Sequence, residues 1–154
     1  MPKQIMPFEI EVDEPDYQTA FAPNELVARG GPCIFLGAIY ENKGYLLHVS
    51  HYSSKDSEPM NLFEDLKKDV KNKKWLKIYL GGGGFDIDLD QEYILENRRL
   101  ALEDIKKHGL ESRIKRIRWC PSKSCQALRL ILSNLTAQYE EFNPETGEGF
   151  IIKA

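Results

Sequence analysis

Two residues of this sequence, Cys33 and His48, have the types and the spacing of a nucleophile and its base. Cys33 opens an apolar run, residues 33–40, and His48 lies in a second apolar run, residues 45–52. The Glu-Asn-Lys-Gly sequence between them predicts a hairpin turn, which places positions 33 and 48 roughly opposite each other. An imidazole beside a thiol lowers the thiol pKa and can protonate a leaving amine. The spacing therefore suits the release of ammonia from an amide.

The same two residues also have an ordinary structural interpretation. In that interpretation Cys33 is a small apolar side chain at the start of a strand, and His48 is a hydrogen-bonded core histidine. His51 competes for any role given to His48, but three positions along an extended strand place it on the opposite face. Spacing alone does not decide between catalysis and packing.

Glycines flank the cysteine and close a later strand. Gly30 and Gly31, followed by a proline, allow a sharp turn that leaves the cysteine at the mouth of its strand, where backbone N–H groups can face an oxyanion. A second run, residues 81–84, begins with Gly81 and Gly82 and predicts a tight turn from a strand to a helix beside the site. No Gly-Lys-Ser/Thr follows it and no G-x-G-x-x-G frame fits, which argues against a nucleotide phosphate site.

The length and composition indicate one globular domain. The chain has 154 residues, of which 42% are hydrophobic and 29% are charged, and no apolar run approaches the roughly 20 residues that a bilayer crossing needs. We expect a single domain over residues 1–154, with residues 1–23 as an N-terminal arm or edge strand. The first residues lack the order of a signal peptide, so the expected compartment is the cytoplasm.

After the hairpin, the sequence predicts a helix, a strand, a second helix and several strands. Apolar residues at helical spacing after Ser57 predict a first helix that ends near Asn72, and three aspartates before residue 91 offer N-caps to a second helix that ends at Gly109. The further predicted strands are residues 75–80, 113–119 and 128–133, and a closing hairpin pairs 139–142 with 149–153. This order predicts an α/β fold: a mixed, mostly antiparallel β-sandwich flanked by two main helices.

Charge and cysteine content argue against several other functions. The net charge of −3 provides no general attraction to nucleic acid or to anionic membranes. Basic residues between 67 and 77 are typical of a solvated helix face, and those between 113 and 118 either protect an edge strand or meet an acidic partner. Cys120 and Cys125 have no second ligand pair nearby and make a poor zinc site. We therefore expect no metal, no cofactor, no nucleic acid and no membrane partner.

The residues around the cysteine and the histidine resemble CheD, the chemoreceptor glutamine deamidase family. Residues 30–33 (GGPC) resemble its G-x-G-[ST]-C element, and residues 44–48 (GYLLH) resemble its G-G-x-x-H element. Downstream, three segments resemble the family's Gly-Gly-Ala strand end, its Glu-Arg-Asn helix opening and its closing hairpin: 77–82, 96–98 and 142–148. The likeness covers about residues 26–153 in order. The wider group includes the catalytic domain of cytotoxic necrotizing factor.

The resemblance implies a reaction and a set of roles. Cys33 attacks a protein glutamine carboxamide, His48 acts as general acid and base, and water hydrolyses the thioester. Val27 stands where CheD has a threonine that orients the histidine, so the resemblance implies a backbone carbonyl there, as in the toxin branch, or another side chain. Pro32 replaces the usual Ser or Thr and offers no N–H.

These departures leave other functions open. One alternative is a CheD-like binding or regulatory module that has lost turnover. Another is a cysteine peptidase or transamidase that uses the same pair. The expected partners are a protein substrate with a reactive glutamine and, in the regulatory alternative, a regulatory protein.

Overall fold

The apolar run that follows Cys33 becomes the central strand of a five-stranded sheet. The structure is a computed structural model that describes residues 7–154, and in that range the chain forms ten strands and two α-helices. In chain order they are β1 (Glu9–Glu11), β2 (Asp16–Phe21), β3 (Glu25–Gly30), β4 (Ile34–Tyr40), β5 (Lys43–Val49), α1 (Ser57–Asp69), β6 (Lys77–Gly82), α2 (Gln91–Lys107), β7 (Ile114–Ile117), β8 (Cys125–Ile131), β9 (Thr136–Phe142) and β10 (Gly149–Lys153).

The strands form two sheets that pack face to face. One sheet has the order β1-β3-β8-β9-β10 and the other has the order β2-β5-β4-β6-β7. The pairs β1–β3 and β6–β7 are parallel, and the other pairs are antiparallel. The predicted mixed, mostly antiparallel α/β architecture with two helices is therefore confirmed. No helix in the described part of the chain is long and apolar enough to cross a membrane.

β4 is buried along its whole length because both of its faces are covered. Leu36 and Tyr40 belong to a core shared with Leu62 of α1 and Ile105 of α2. Residues on the other face of β4, represented by Phe35, belong to a second core between the two sheets. A strand covered on both faces needs apolar residues at every position, which explains the unbroken apolar run in the sequence.

The predicted hairpin of β4 and β5 is confirmed, but its register differs from the expectation. The turn contains only two residues, Glu41 and Asn42, and Glu41 adopts a φ of 53°. This tight turn pairs His48 with Phe35, two positions beyond Cys33. Because side chains two positions apart lie on the same face, Cys33 is a diagonal neighbour of His48 and not its direct partner.

Gly44 has a different role from the one expected for a turn glycine. It lies inside β5, and a Cβ atom there would stand 2.8 Å from Leu132 Cδ2. The absence of a side chain lets the facing sheet approach closely at this point.

The sequence predicts one arm or edge strand over residues 1–23. Within the described residues the structure has two edge strands there instead. β1 lies at the edge of one sheet and β2 at the edge of the other. Residues 12–15 connect them and pass over the open end of the β4–β5 hairpin, whereas residues 1–6 lie outside the described residues. The following strand, β3, is absent from the sequence prediction because charged residues stand near both of its ends.

The helices and later strands agree with the prediction in type and differ at their ends. α1 ends at Asp69, three residues before the expected end, and the side chain of Asp90 caps α2 by accepting a hydrogen bond from the N–H of Glu92. The predicted strand 75–80 lies at Lys77–Gly82, because residues 73–75 form a 3₁₀ turn that leaves Trp75 exposed.

The final strands follow the same pattern. The predicted strands 113–119 and 128–133 lie at Ile114–Ile117 and Cys125–Ile131. β7 is the outer strand of its sheet, as its basic residues suggested. The closing hairpin pairs β9 with β10, and β9 begins three residues earlier than expected.

A buried polar network joins β8 and β9 to the end of β6. Glu141, 3% exposed, accepts two hydrogen bonds of 2.7 Å from Arg118 and one of 2.8 Å from Gln126 Nε2. Gln126 Oε1 in turn accepts a 2.7 Å hydrogen bond from the N–H of Gly82. Burial alone would raise the pKa of Glu141, but the hydrogen bonds from Arg118 and Gln126 outweigh it and hold the pKa below 4.5.

We expect Glu141→Gln to destabilise the protein at neutral pH by about 2 kcal/mol, because it removes the charge that Arg118 and Gln126 stabilise. A folded-state pKa below the unfolded value contributes stability above about pH 4.5 that is lost as the pH falls through the folded pKa. The difference from wild type in urea unfolding should therefore shrink between pH 7 and pH 3. Glu145→Gln, at an exposed loop position, is the control. An equal loss of unfolding free energy at pH 7 and pH 3 would contradict a stabilising role for the Glu141 charge.

Candidate functional site

Three segments that are distant in sequence meet where the two sheets open. Cys33 lies in the bend between β3 and β4, His48 lies near the end of β5, and Glu14 lies in the connection between β1 and β2. The thiol sulfur, an imidazole nitrogen and a carboxylate oxygen of these three residues all lie within 4.8 Å of one another. The structure thus brings the two predicted residues together and adds a carboxylate.

The ring of His48 is held in one orientation and one tautomer. Its Nδ1 lies 2.7 Å from the carbonyl oxygen of Val12, which can only accept, so Nδ1 carries the proton. Phe35 contacts the ring edge-on, with centroids 4.9 Å apart and an interplanar angle of 87°. In the neutral ring Nε2 therefore holds the lone pair, and it is buried without a hydrogen-bond partner among the described residues. This arrangement leaves a base ready to take a proton.

The backbone carbonyl that orients His48 belongs to Val12 and not to Val27, the position that the family resemblance implied. Val27 is fully buried in β3, and its carbonyl accepts a 2.8 Å hydrogen bond from the N–H of Val12. The carbonyl of Val12 then accepts from His48. Val27 thus acts indirectly, because its carbonyl anchors Val12, and the carbonyl of Val12 orients His48.

The thiol of Cys33 faces a carboxylate. The residue is half-buried, and its Sγ lies 3.3 Å from Glu14 Oε2, to which the S–H donates. Burial, followed by the hydrogen bond and negative charge of Glu14, raises the pKa of Cys33 to about 12. The sequence predicts a thiol pKa lowered by the histidine, whereas in this arrangement the resting thiol is protonated.

The predicted glycine turn after β6 packs directly against the cysteine loop. Gly82 has a φ of +71°, and a Cβ atom there would stand 1.8 Å from the carbonyl oxygen of Cys33. That carbonyl accepts a 2.7 Å hydrogen bond from the N–H of Gly83, and the carbonyl of Gly31 accepts one of 2.9 Å from Gly84. Only glycine permits both this conformation and this approach.

The N–H of Gly82 in this turn is not available to a substrate. The N–H of Gly82 is bonded to Gln126, so it does not serve an oxyanion. A Cβ atom at Gly81 would stand 2.8 Å from Gln126 Oε1 and 2.9 Å from Tyr139. Gly81 and Gly82 therefore support the turn, and their expected contribution to an oxyanion site is limited to holding the cysteine loop.

Gly30 and Gly31 border the site itself. A Cβ atom at Gly30 would contact Nε2 of His48 at 3.7 Å, so this glycine lies beside the free lone pair. Gly31 is tied to the glycine turn through its carbonyl. Both residues shape the approach to the imidazole and the thiol.

The other predicted candidates lie apart from this cluster. His51 is exposed, and its ring stacks on that of Tyr93 with centroids 5.9 Å apart. Cys120 is buried and its thiol lies 3.3 Å from the carbonyl oxygen of Ser124, while Cys125 is exposed. None of these residues belongs to the Glu14, Cys33 and His48 cluster.

Sequence reasoning missed Glu14 and Val12. Glu14 is one of several acidic residues near the N-terminus, and no spacing rule connects it to Cys33. The contribution of Val12 is a main-chain carbonyl, which every residue type offers. No sequence signal identifies either residue.

Comparison with known protein families finds no match for this chain. Comparison with curated proteins finds no relative.

We expect Gly82→Ala to lower the free energy of unfolding by at least about 3 kcal/mol, because it adds a backbone clash to an unfavourable φ. Gly147→Ala is the matched control, since Gly147 has a φ of +75° with nothing within 4 Å of the added Cβ. It should cost only about 1 kcal/mol. Urea unfolding of both variants separates the clash from the strain. Equal losses would show that the close approach to Cys33 is absent.

We expect Glu14→Gln to lower the pKa of Cys33, because it removes the charge that opposes the thiolate. Each unit by which the pKa falls raises the thiolate fraction, and so the alkylation rate at pH 8, about tenfold. Alkylation of Cys33 is followed by peptide mass spectrometry in a Cys125→Ser background, which removes the exposed thiol. Asp13→Asn, at an exposed neighbouring carboxylate, should leave the rate unchanged. An unchanged rate in Glu14→Gln would contradict the contact.

Proposed function

We propose that this chain is a CheD-like Cys–His amidohydrolase that deamidates a glutamine side chain of a protein substrate. The observation that carries the proposal is the free Nε2 lone pair of the buried His48 beside the thiol of Cys33. The motif resemblance around these residues supports the family and the substrate class. A main-chain carbonyl as the orienting group of the histidine is the arrangement that the resemblance to the toxin branch implies.

The first half of the proposed reaction releases ammonia. Sγ of Cys33 adds to the glutamine carboxamide carbon while the S–H proton moves to Nε2 of His48. The imidazolium then returns this proton to the amide nitrogen as the C–N bond breaks. The products of this half are ammonia and a thioester between Cys33 and the substrate side chain.

The second half restores the enzyme. Water adds to the thioester carbon and gives one proton to His48 Nε2, and the C–S bond breaks as Sγ takes that proton back. The substrate leaves with a glutamate side chain. Val12 keeps Nδ1 protonated throughout, so each proton passes through the same ring nitrogen.

Glu14 sets a condition on this cycle. In the resting arrangement the S–H points to Glu14, and burial together with the carboxylate raises the thiol pKa to about 12. The proposed reaction therefore requires the S–H to rotate about the Cβ–Sγ bond toward Nε2. Proton transfer then occurs during the attack on the carboxamide and not before it, since a free thiolate is disfavoured.

A second candidate is a CheD-like binding or regulatory module without turnover. Two observations favour it: the carboxylate of Glu14 holds the thiol in its protonated form, and Pro32 offers no N–H to an oxyanion. Such a module would bind its partner equally well with and without the thiol.

We expect Cys33→Ala and His48→Ala each to abolish ammonia release, because the proposed reaction loses its nucleophile or its proton carrier. A protein extract is incubated with each variant, ammonia is measured, and glutamine-to-glutamate conversions are located by mass spectrometry. His51→Ala, which alters an imidazole outside the cluster, should keep wild-type activity. Circular dichroism verifies that the variants remain folded.

Other outcomes of this experiment point to the other functions. Full ammonia release by Cys33→Ala would overturn the proposal. Partner binding that is equal in wild type and Cys33→Ala, without turnover, would favour the binding module. Peptide cleavage, or amine incorporation that exceeds hydrolysis, would indicate a peptidase or a transamidase.

A further inference from the structure

The three side chains of the site are also of the types that ligate metal ions. Cys33, His48 and Glu14 each present one ligand atom, and these atoms lie within 4.8 Å of one another. Thiolate, imidazole and carboxylate are the three side-chain types that bind zinc in proteins. We propose that this cluster binds one Zn²⁺ ion.

The distances suit a tetrahedral ion. Zinc bonds of about 2.0–2.3 Å to sulfur, nitrogen and oxygen place neighbouring ligand atoms roughly 3.4–3.6 Å apart. Cys33 Sγ and Glu14 Oε2 already lie 3.3 Å apart, and no separation in the cluster exceeds 4.8 Å. The ligand atoms therefore need to approach one another by at most about 1.4 Å. A tetrahedral ion held by three protein ligands takes its fourth ligand from water.

His48 has the environment of a metal-binding histidine. Such a histidine donates its other ring N–H to a carbonyl or a carboxylate, which fixes the tautomer, and Nδ1 of His48 makes this bond to Val12 at 2.7 Å. Its Nε2 is buried and has no hydrogen-bond partner among the described residues. A buried, unpartnered nitrogen is unfavourable, and coordination would satisfy it.

The charges also balance. The carboxylate of Glu14 and a thiolate of Cys33 together offset the two positive charges of Zn²⁺, while His48 binds as a neutral ligand. As the Sγ–Zn bond forms, the S–H proton leaves to solvent. The half-buried site then contains no uncompensated charge, which a buried ion requires.

Zinc binding would occupy the same two atoms that the proposed reaction uses. Coordination ties up Sγ of Cys33 and Nε2 of His48, so the zinc-bound protein has neither a free nucleophile nor a free base. This effect on activity rests on the proposed function, whereas the binding itself does not. We infer that Zn²⁺ is a reversible inhibitor of the site.

The experiment uses the full chain and Co²⁺ as a spectroscopic probe. We expect one Co²⁺ per chain, with a thiolate-to-cobalt charge-transfer band and the strong visible absorption of a tetrahedral site, and we expect Zn²⁺ to displace it. Competition with a chromophoric chelator then measures Zn²⁺ affinity. Cys33→Ser should abolish the charge-transfer band, and Glu14→Gln and His48→Gln should each weaken binding at least about tenfold.

Two control variants test an exposed thiol and an exposed imidazole outside the cluster. Cys125→Ser and His51→Ala should leave the band and the affinity unchanged, because neither residue belongs to the cluster. A charge-transfer band that persists in Cys33→Ser, or that is lost in Cys125→Ser, would overturn the inference. Absence of stoichiometric binding in wild type would also overturn it.

A second measurement follows the thiol directly. Zn²⁺ should protect Cys33 from alkylation in the Cys125→Ser background, and a chelator should restore the rate. Ammonia release is then measured with chelator present. Zinc binding without ammonia release would contradict the proposed function and support the metal site. Ammonia release without zinc binding would support the proposed function and contradict the metal site.

Discussion

Both faces of β4 are covered, and this double burial determines where the neighbouring strands lie. The helices cover Leu36 and Tyr40, while the second sheet covers Phe35, so a shift of one residue would exchange the two sets of side chains. With that exchange excluded, β4 has one register with β5 and one with β6. The first register places His48 against Phe35, and the second places the glycine turn against the cysteine loop. The geometry of the site thus follows from the packing of β4. The side chain that β4 contributes to the site is Phe35, which contacts the ring of His48.

Glu14 and His48 have opposite effects on the thiol proton of Cys33. Glu14 holds the S–H and disfavours the thiolate, while His48 presents a lone pair that can remove the same proton. The proposed deamidation requires the proton to pass to the histidine, and the proposed zinc site requires it to leave altogether. In both cases the resting hydrogen bond to Glu14 is broken first. The segment that carries Glu14 therefore controls what the cysteine can do, although it belongs to neither strand of the hairpin.

The sequence predicts much of this fold because its strongest patterns are local. The two apolar runs identify the hairpin, and the apolar spacing after Ser57 identifies α1. The hairpin register is not predictable in the same way, because a two-residue turn and a longer turn suit the same runs and the sequence does not distinguish them. The predicted start of β6 is wrong by two residues. An aromatic residue such as Trp75 is typical of a buried strand, but Trp75 is exposed in the structure.

The candidate site likewise has one part that the sequence predicts and one part that it does not. Cys33 and His48 stand out by residue type and spacing, and they lie together. The orienting carbonyl belongs to Val12 because a parallel pairing of β1 with β3 places it over the imidazole, and long-range pairing of that kind has no local signature. A main-chain carbonyl is common to all twenty amino acids, so a substitution at position 12 that preserves the fold keeps the acceptor for Nδ1 of His48. The Val12 side chain itself is fully buried in the core between the sheets, so packing decides which residues position 12 accepts. A scan of point mutations would therefore report Val12 as a core residue, and the contribution of its carbonyl to the orientation of His48 would go undetected.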